Sequence, residues 1–77
     1  MYTYSVCNVA DEEIFSKQCV AIEEHLKSIE KKDLLEDVDG TKIQLYKFEK
    51  YIIKVVNSLY ENAVYVESEI DIRPYFS

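Results

Sequence analysis

The stretch from Ala63 to Ile72, Ala63-Val64-Tyr65-Val66-Glu67-Ser68-Glu69-Ile70-Asp71-Ile72, alternates apolar and polar side chains along nearly its whole length. Val64, Val66, Ile70 and Ile72 fall on one side, with Ser68 the one small polar residue among them. Tyr65, Glu67, Glu69 and Asp71 fall on the other. A period of two predicts a strand with one face in a core and one in water. The wet face is then a row of carboxylates led by a tyrosine. Arg73-Pro74 ends the strand, because proline has no N–H to give a ladder, and Tyr75 and Phe76 either fold back to cap a core edge or dangle.

Working back from that strand, two more are read at Lys42–Phe48 and Tyr51–Asn57, joined at Glu49-Lys50. Ile43 and Leu45 mark the inward side of the first, and Tyr51, Ile53 and Val55 that of the second. The other side carries Gln44, Tyr46, Ile52, Lys54 and Val56. Residues 57–62 turn the chain into the acidic strand. Such short links force an antiparallel meander.

Upstream, Tyr2 to Cys7 reads as a first strand. Asp11 offers an N-cap, and Glu12 and Glu13 place negative charge on the positive end of a helix dipole. Phe15, Cys19, Ile22, Leu26 and Ile29 recur at spacings of four and three, one apolar stripe that predicts a helix from Glu12 to Lys31 or Lys32. The stretch Asp33 to Gly40, DLLEDVDG, fits a short strand paired back on Thr41–Leu45 or a helical turn. It is read as a loop ending in the Asp39-Gly40 turn. Its acids do not make a calcium loop, since the first and twelfth positions would be Leu35 and Tyr46.

The expectation is therefore a single α+β domain spanning residues 1–77, in two layers. One long helix packs on a four-stranded, mainly antiparallel sheet in the order β-α-β-β-β. A chain of 77 residues has room for one core only.

The formal net charge is −6, unevenly spread. Residues 34–41 hold Glu36, Asp37 and Asp39 and no base; residues 42–54 reverse the sign with four lysines against Glu49. Phosphates are repelled by such a chain, which argues against direct nucleic-acid binding or an anionic membrane surface. No apolar run reaches the ~18 residues of a membrane span, and the N-terminus lacks the pattern of a secretion signal. A cytoplasmic location is expected, the host-cell cytoplasm included. Two cysteines, Cys7 and Cys19, are too few for a disulfide scaffold and match no zinc spacing. Lysine outnumbers arginine eight to one, the bias of an AT-rich genome, which suits a phage-encoded protein.

The catalytic inventory is thin. The one histidine, His25, has only Glu23 and Glu24 beside it in sequence, and the single glycine, Gly40, cannot build a phosphate loop. Paired carboxylates need a cleft with one acid in apolar surroundings. The chain is thus read as a non-enzyme with no metal and no cofactor, acting through its surface. Three surfaces are nominated. The acidic strand face Tyr65, Glu67, Glu69 and Asp71 would contact a partner, its carboxylates spaced at about 6.6–7 Å, twice the rise per residue, like phosphates along a strand of DNA. Glu36, Asp37 and Asp39 form a secondary acidic patch. Tyr46, Ile52 and Val56 form an apolar contact face, through which, or along a free edge strand, the protein would form a homodimer. The first functional expectation is a small acidic inhibitor, an antagonist of antiviral defence. It binds and blocks a nucleic-acid-binding enzyme, such as a nuclease or a CRISPR-type effector, by acting as a DNA mimic. An antitoxin or immunity protein against a cognate toxin is the second, and a dimeric structural or adaptor subunit the third.

Overall fold

The computed structural model describes residues 1–76; Ser77, the last residue of the expected domain, lies outside them. Five strands and one helix follow in the order β1 (Tyr2–Cys7), α1 (Glu12–His25), β2 (Glu30–Glu36), β3 (Lys42–Phe48), β4 (Tyr51–Ser58) and β5 (Ala63–Ser68). A 3-10 turn at Arg73–Phe76 follows. The strands form one antiparallel sheet in the order β1-β5-β4-β3-β2, and α1 lies across one face over β4. The α+β class is as expected; the sheet has five strands rather than four, and the helix is shorter than the stripe suggested.

Helix α1 starts where its cap dictates. Asp11 is extended (φ −151°) and its Oδ1 accepts the Ile14 N–H at 3.0 Å, satisfying one of the donors that the first turn leaves open. Asn57 Oδ1 accepts the Asp11 N–H at 3.1 Å, which ties the cap to β4. The stripe behaves as predicted as far as Leu26: Phe15, Cys19, Ile22 and Leu26 are buried. Full burial of Ile22 and Leu26 contributes about 1.5–3 kcal/mol each. Leu26 itself is extended, and Ser28 takes φ 66°, reversing the chain three residues after the helix ends. Residues 30–36 then pair with β3. Their own propensity is helical, but the free N–H and C=O groups along β3 offer a ladder, and tertiary pairing overrides propensity. Glu23 forms an ion pair with Lys31 on β2, at 3.4 Å.

The phase of β3 is the opposite of the expected one. Gln44, Tyr46 and Phe48 are buried, whereas Ile43 and Leu45 lie half-buried on the open face. Two residues, Glu49 (φ 56°) and Lys50, link β3 to β4, and Phe48 faces Tyr51 across the turn. With that loop length, odd positions of β4 face even positions of β3: Ile53 opposes Tyr46 and Val55 opposes Gln44. Since Ile53 and Val55 point into the core, Tyr46 must as well. Its ring is fully buried and its hydroxyl donates to Glu23 Oε2 at 2.6 Å.

Strand β5 stops at Ser68, four residues earlier than the alternation implied. Ser68 is fully buried and its Oγ accepts the Ile70 N–H at 3.1 Å, a local bond that competes with the ladder and bends the chain. Ile70 and Ile72 still pack on the core, from a bend rather than a strand. At the opposite end of the sheet, Gly40 at φ 92° closes the β2–β3 hairpin, where a Cβ would approach Leu59 Cδ1 to 2.7 Å.

Candidate interaction surfaces

The acidic strand face is partly dismantled by the structure. Tyr65 stands on the open face, its hydroxyl donating to Glu61 at 3.0 Å; burial first, then that hydrogen bond, pushes it up to about 12. Glu67 follows on the same face, opposite Lys54 on β4 and Thr3 on β1. Glu69 and Asp71 lie beyond the strand, and both are engaged within the chain. Glu69 Oε1 accepts the Ile52 N–H at 2.6 Å while the Glu69 N–H donates to the Ile52 carbonyl at 3.2 Å, closing the end of β4.

Asp71 is a hub. Its Oδ1 accepts the Tyr4 hydroxyl at 2.8 Å and the Arg73 N–H at 3.1 Å, and its Oδ2 accepts Arg73 Nη2 at 2.7 Å. The Arg73 guanidinium, with the Tyr4 hydroxyl second, holds this carboxyl well below the usual carboxylate range. The Tyr4 hydroxyl in turn accepts the Ile72 N–H at 3.1 Å, so β1 and the C-terminal segment are joined through one tyrosine–aspartate pair. The four residues therefore do not form a straight row of free charges.

The secondary patch fares differently. Glu36 ends β2, and Asp37 and Asp39 shape the turn: Asp37 Oδ1 accepts the Val38 N–H at 2.7 Å and Asp39 Oδ1 accepts the Thr41 N–H at 2.9 Å. The backbone bond from Thr41 is the first cause of the lowered Asp39 pKa. Among the described residues none of Asp33, Glu36, Asp37 and Asp39 joins a salt bridge. Between these acids the hairpin exposes large apolar side chains, Leu34 at 52%, Leu35 at 48% and Val38 at 102% of their full area. Asp33, Leu34, Leu35 and Val38 were outside the nominated residues. The Asp39-Gly40 turn dipeptide with a strand-compatible stretch before it was the signal for them.

The nominated apolar face does not come together either. Tyr46 is under the helix, fully buried. Val56 does lie on the open face but is covered by its cross-strand neighbours Ile43 and Tyr65, leaving 3% of its surface exposed. Ile52 alone of the three remains accessible.

A feature no sequence pattern announced lies on the helix side of the sheet. Because α1 sits over β4, the inner flank of edge strand β1 is left uncovered. The resulting groove, about 480 Å³, is lined by Tyr4, Val6, Gln18, Val66, Ile72 and Phe76 among others. His25 closes the far side of the C-terminal turn: its ring stacks on Phe76 at 4.5 Å, and Nδ1 lies 3.3 Å from the Tyr75 carbonyl.

Chemistry-bearing groups are dispersed. Among the described residues no three His, Cys, Asp or Glu side chains gather as a metal ion would need. Cys19 is buried in the stripe, where burial pushes its thiol up. No helix among them is long and apolar enough to cross a membrane. Set against protein-family models, curated proteins and solved structures, the chain matches none.

Proposed function

We propose that this protein is a small non-catalytic antagonist that covers the basic nucleic-acid-binding surface of a partner enzyme, with the β2–β3 hairpin as its main contact. The observation that supports the reading is the hairpin itself. Leu34, Leu35 and Val38 are exposed on an element whose carboxylates, Asp33, Glu36, Asp37 and Asp39, lack ion-pair partners among the described residues. Exposed apolar groups supply contact area, while unneutralised acids steer the hairpin to a cationic groove and repel nucleic acid. Glu67 on the open sheet face adds to the same field. Strict mimicry of a phosphate row by Glu67, Glu69 and Asp71 is not part of the proposal, because two of those three carboxylates are bonded within the chain.

The test is affinity capture from a lysate of a plausible host, with wild type and a Glu36→Lys, Asp37→Lys, Asp39→Lys variant side by side. The expected result is a nucleic-acid-binding enzyme that the wild type retains and inhibits, that added DNA displaces, and that the variant fails to hold. Retention indifferent to both DNA and charge reversal would reject the reading.

A further inference from the structure

The two edges of the sheet differ in how they are guarded. Edge strand β2 reads Glu30-Lys31-Lys32-Asp33-Leu34-Leu35-Glu36, five charges in seven residues, with an irregular register between Lys31 and Leu34. Both edges carry an irregularity, that of β1 falling between Ser5 and Cys7, so the charges are the difference, and charges of that kind discourage pairing with another strand. Edge strand β1 reads Tyr2-Thr3-Tyr4-Ser5-Val6-Cys7 and carries no charged residue at all. Its regular part, Tyr2 to Ser5, pairs with β5 on one side and leaves its other side open. Beside it lies the groove of about 480 Å³, and Tyr2 and Val6 stand 43% and 38% exposed.

We propose that β1 is a dimerisation strand, pairing antiparallel with the β1 of a second copy to join two five-stranded sheets into one of ten. Three observations select a second copy as the occupant. The first is self-complementarity. A two-fold axis through Tyr4 sets Tyr2 of one copy against Val6 of the other, and Thr3 against Ser5. Apolar side chains then meet apolar ones on the groove side, and hydroxyls meet hydroxyls on the open face. Both kinds of cross-strand pair are favourable. The second is shape: Tyr2 and Tyr4 are already stacked, centroids 6.5 Å apart with rings 6° from parallel, and the groove beside Tyr4 and Val6 gives the incoming Tyr2 and Val6 somewhere to go. The third is charge. Each copy carries −6, so two copies meet most easily where unpaired carboxylates are fewest; among the described residues β1 is the one strand without an acid or a base, and Asp71, bonded to Tyr4, is paired with Arg73. The strand edge is only about 20 Å long, six residues at ~3.4 Å. The interface therefore falls at the small end of specific contacts, with a Kd on the order of micromolar.

Sedimentation equilibrium over about 1–500 µM reads the mass directly. The 9.1 kDa chain is expected to move to twice that mass as concentration rises. Salt strengthens the association between ~0.01 and ~0.15 M, as the Debye length falls from about 30 to 8 Å and the two acidic bodies repel less. Thr3 and Ser5 are exposed on the open face, so charging them leaves the core alone. The Thr3→Lys, Ser5→Lys variant and the Thr3→Glu, Ser5→Glu variant each place like charges across the axis and stay monomeric. Mixed one to one, they form a heterodimer. Leu34→Lys on the opposite edge leaves dimerisation unchanged. Amide exchange in β1 of the wild type slows with concentration, a readout independent of any variant. A wild type that stays at 9.1 kDa throughout, charged variants that dimerise alone, or a mixture that does not, overturns the proposal.

Discussion

Glu23 and Asp71 on the one hand, and the carboxylates of the β2–β3 hairpin on the other, belong to the same acidic chain and are used in opposite ways. Glu23 accepts a hydrogen bond from the buried Tyr46 hydroxyl, and Asp71 accepts one from Tyr4. Each pairs a tyrosine of the sheet's inner face with an acid on a neighbouring element and a cation beyond it, Lys31 for Glu23 and Arg73 for Asp71. The hairpin acids Asp33, Glu36, Asp37 and Asp39 have no cation within ion-pair distance among the described residues, and two of them bond within the turn itself. Acids of the first kind hold elements together; acids of the second kind are available to something else. A count of carboxylates along the sequence does not separate the two kinds.

The sharpest test removes an inner-face tyrosine. Tyr46→Ala deletes a fully buried ring and strands Glu23, and should cost about 3–5 kcal/mol in chemical denaturation. A loss under about 1 kcal/mol would mean that Tyr46 is not the keystone beneath α1 that its position implies.

Alkaline pH tests the same pairs together, and with them Tyr65 and Glu61 on the open face. Tyr4, Tyr46 and Tyr65 all have raised pKa values, burial being the first cause in each. A raised folded pKa stabilises the fold fully below the unfolded value of about 10. That contribution is lost as pH rises through the folded one, about 12 for Tyr65. Tyrosinate absorbance and circular dichroism should therefore change together above about pH 10. Complete tyrosine titration with the fold intact would break the comparison.

A smaller effect is expected at Asp71. Its lowered pKa means that its contribution is present above the unfolded value of about 3.9 and fades as pH falls below it. Asp71→Asn should lower the melting temperature at pH 7, and the gap to wild type should close on acidification. A gap independent of pH would show that the carboxylate charge is not what matters. For the same reason a charge reversal across Glu67, Glu69 and Asp71 perturbs folding as well as binding, so it cannot by itself test a contact surface. The smallest effect belongs to the hairpin: Leu34→Ser with Val38→Ser should change stability by no more than about 0.5 kcal/mol per site while weakening partner capture. A large loss of stability there would place these side chains in the structure rather than on its working surface.

Much of the fold was legible from local pattern. The Asp11 cap, the Phe15–Cys19–Ile22–Leu26 stripe and the alternation of Val64 and Val66 each follow from chemistry between residues a few positions apart, and the structure keeps them. The phase of β3 was legible as well, though indirectly. A two-residue link at Glu49-Lys50 together with inward Ile53 and Val55 requires an inward Tyr46, whatever the hydrophobicity of Ile43 and Leu45 suggests. The first part of β2, residues 30–32, was not legible. Glu30-Lys31-Lys32 continues a good helical pattern, and only the open edge of β3 draws it into the sheet.

By itself, then, the sequence determined the class of the fold, its caps and turns, its acidity and most of its core, because those depend on short-range periodicity and on composition. The tertiary structure decided which acids are spoken for, since Tyr4 and Asp71 are 67 positions apart in the chain and 2.8 Å apart in space. It also decided that the uncharged β1 and the charged β2 are the two edges of the sheet. That depends on strand order, which is set by long-range packing that no local pattern encodes.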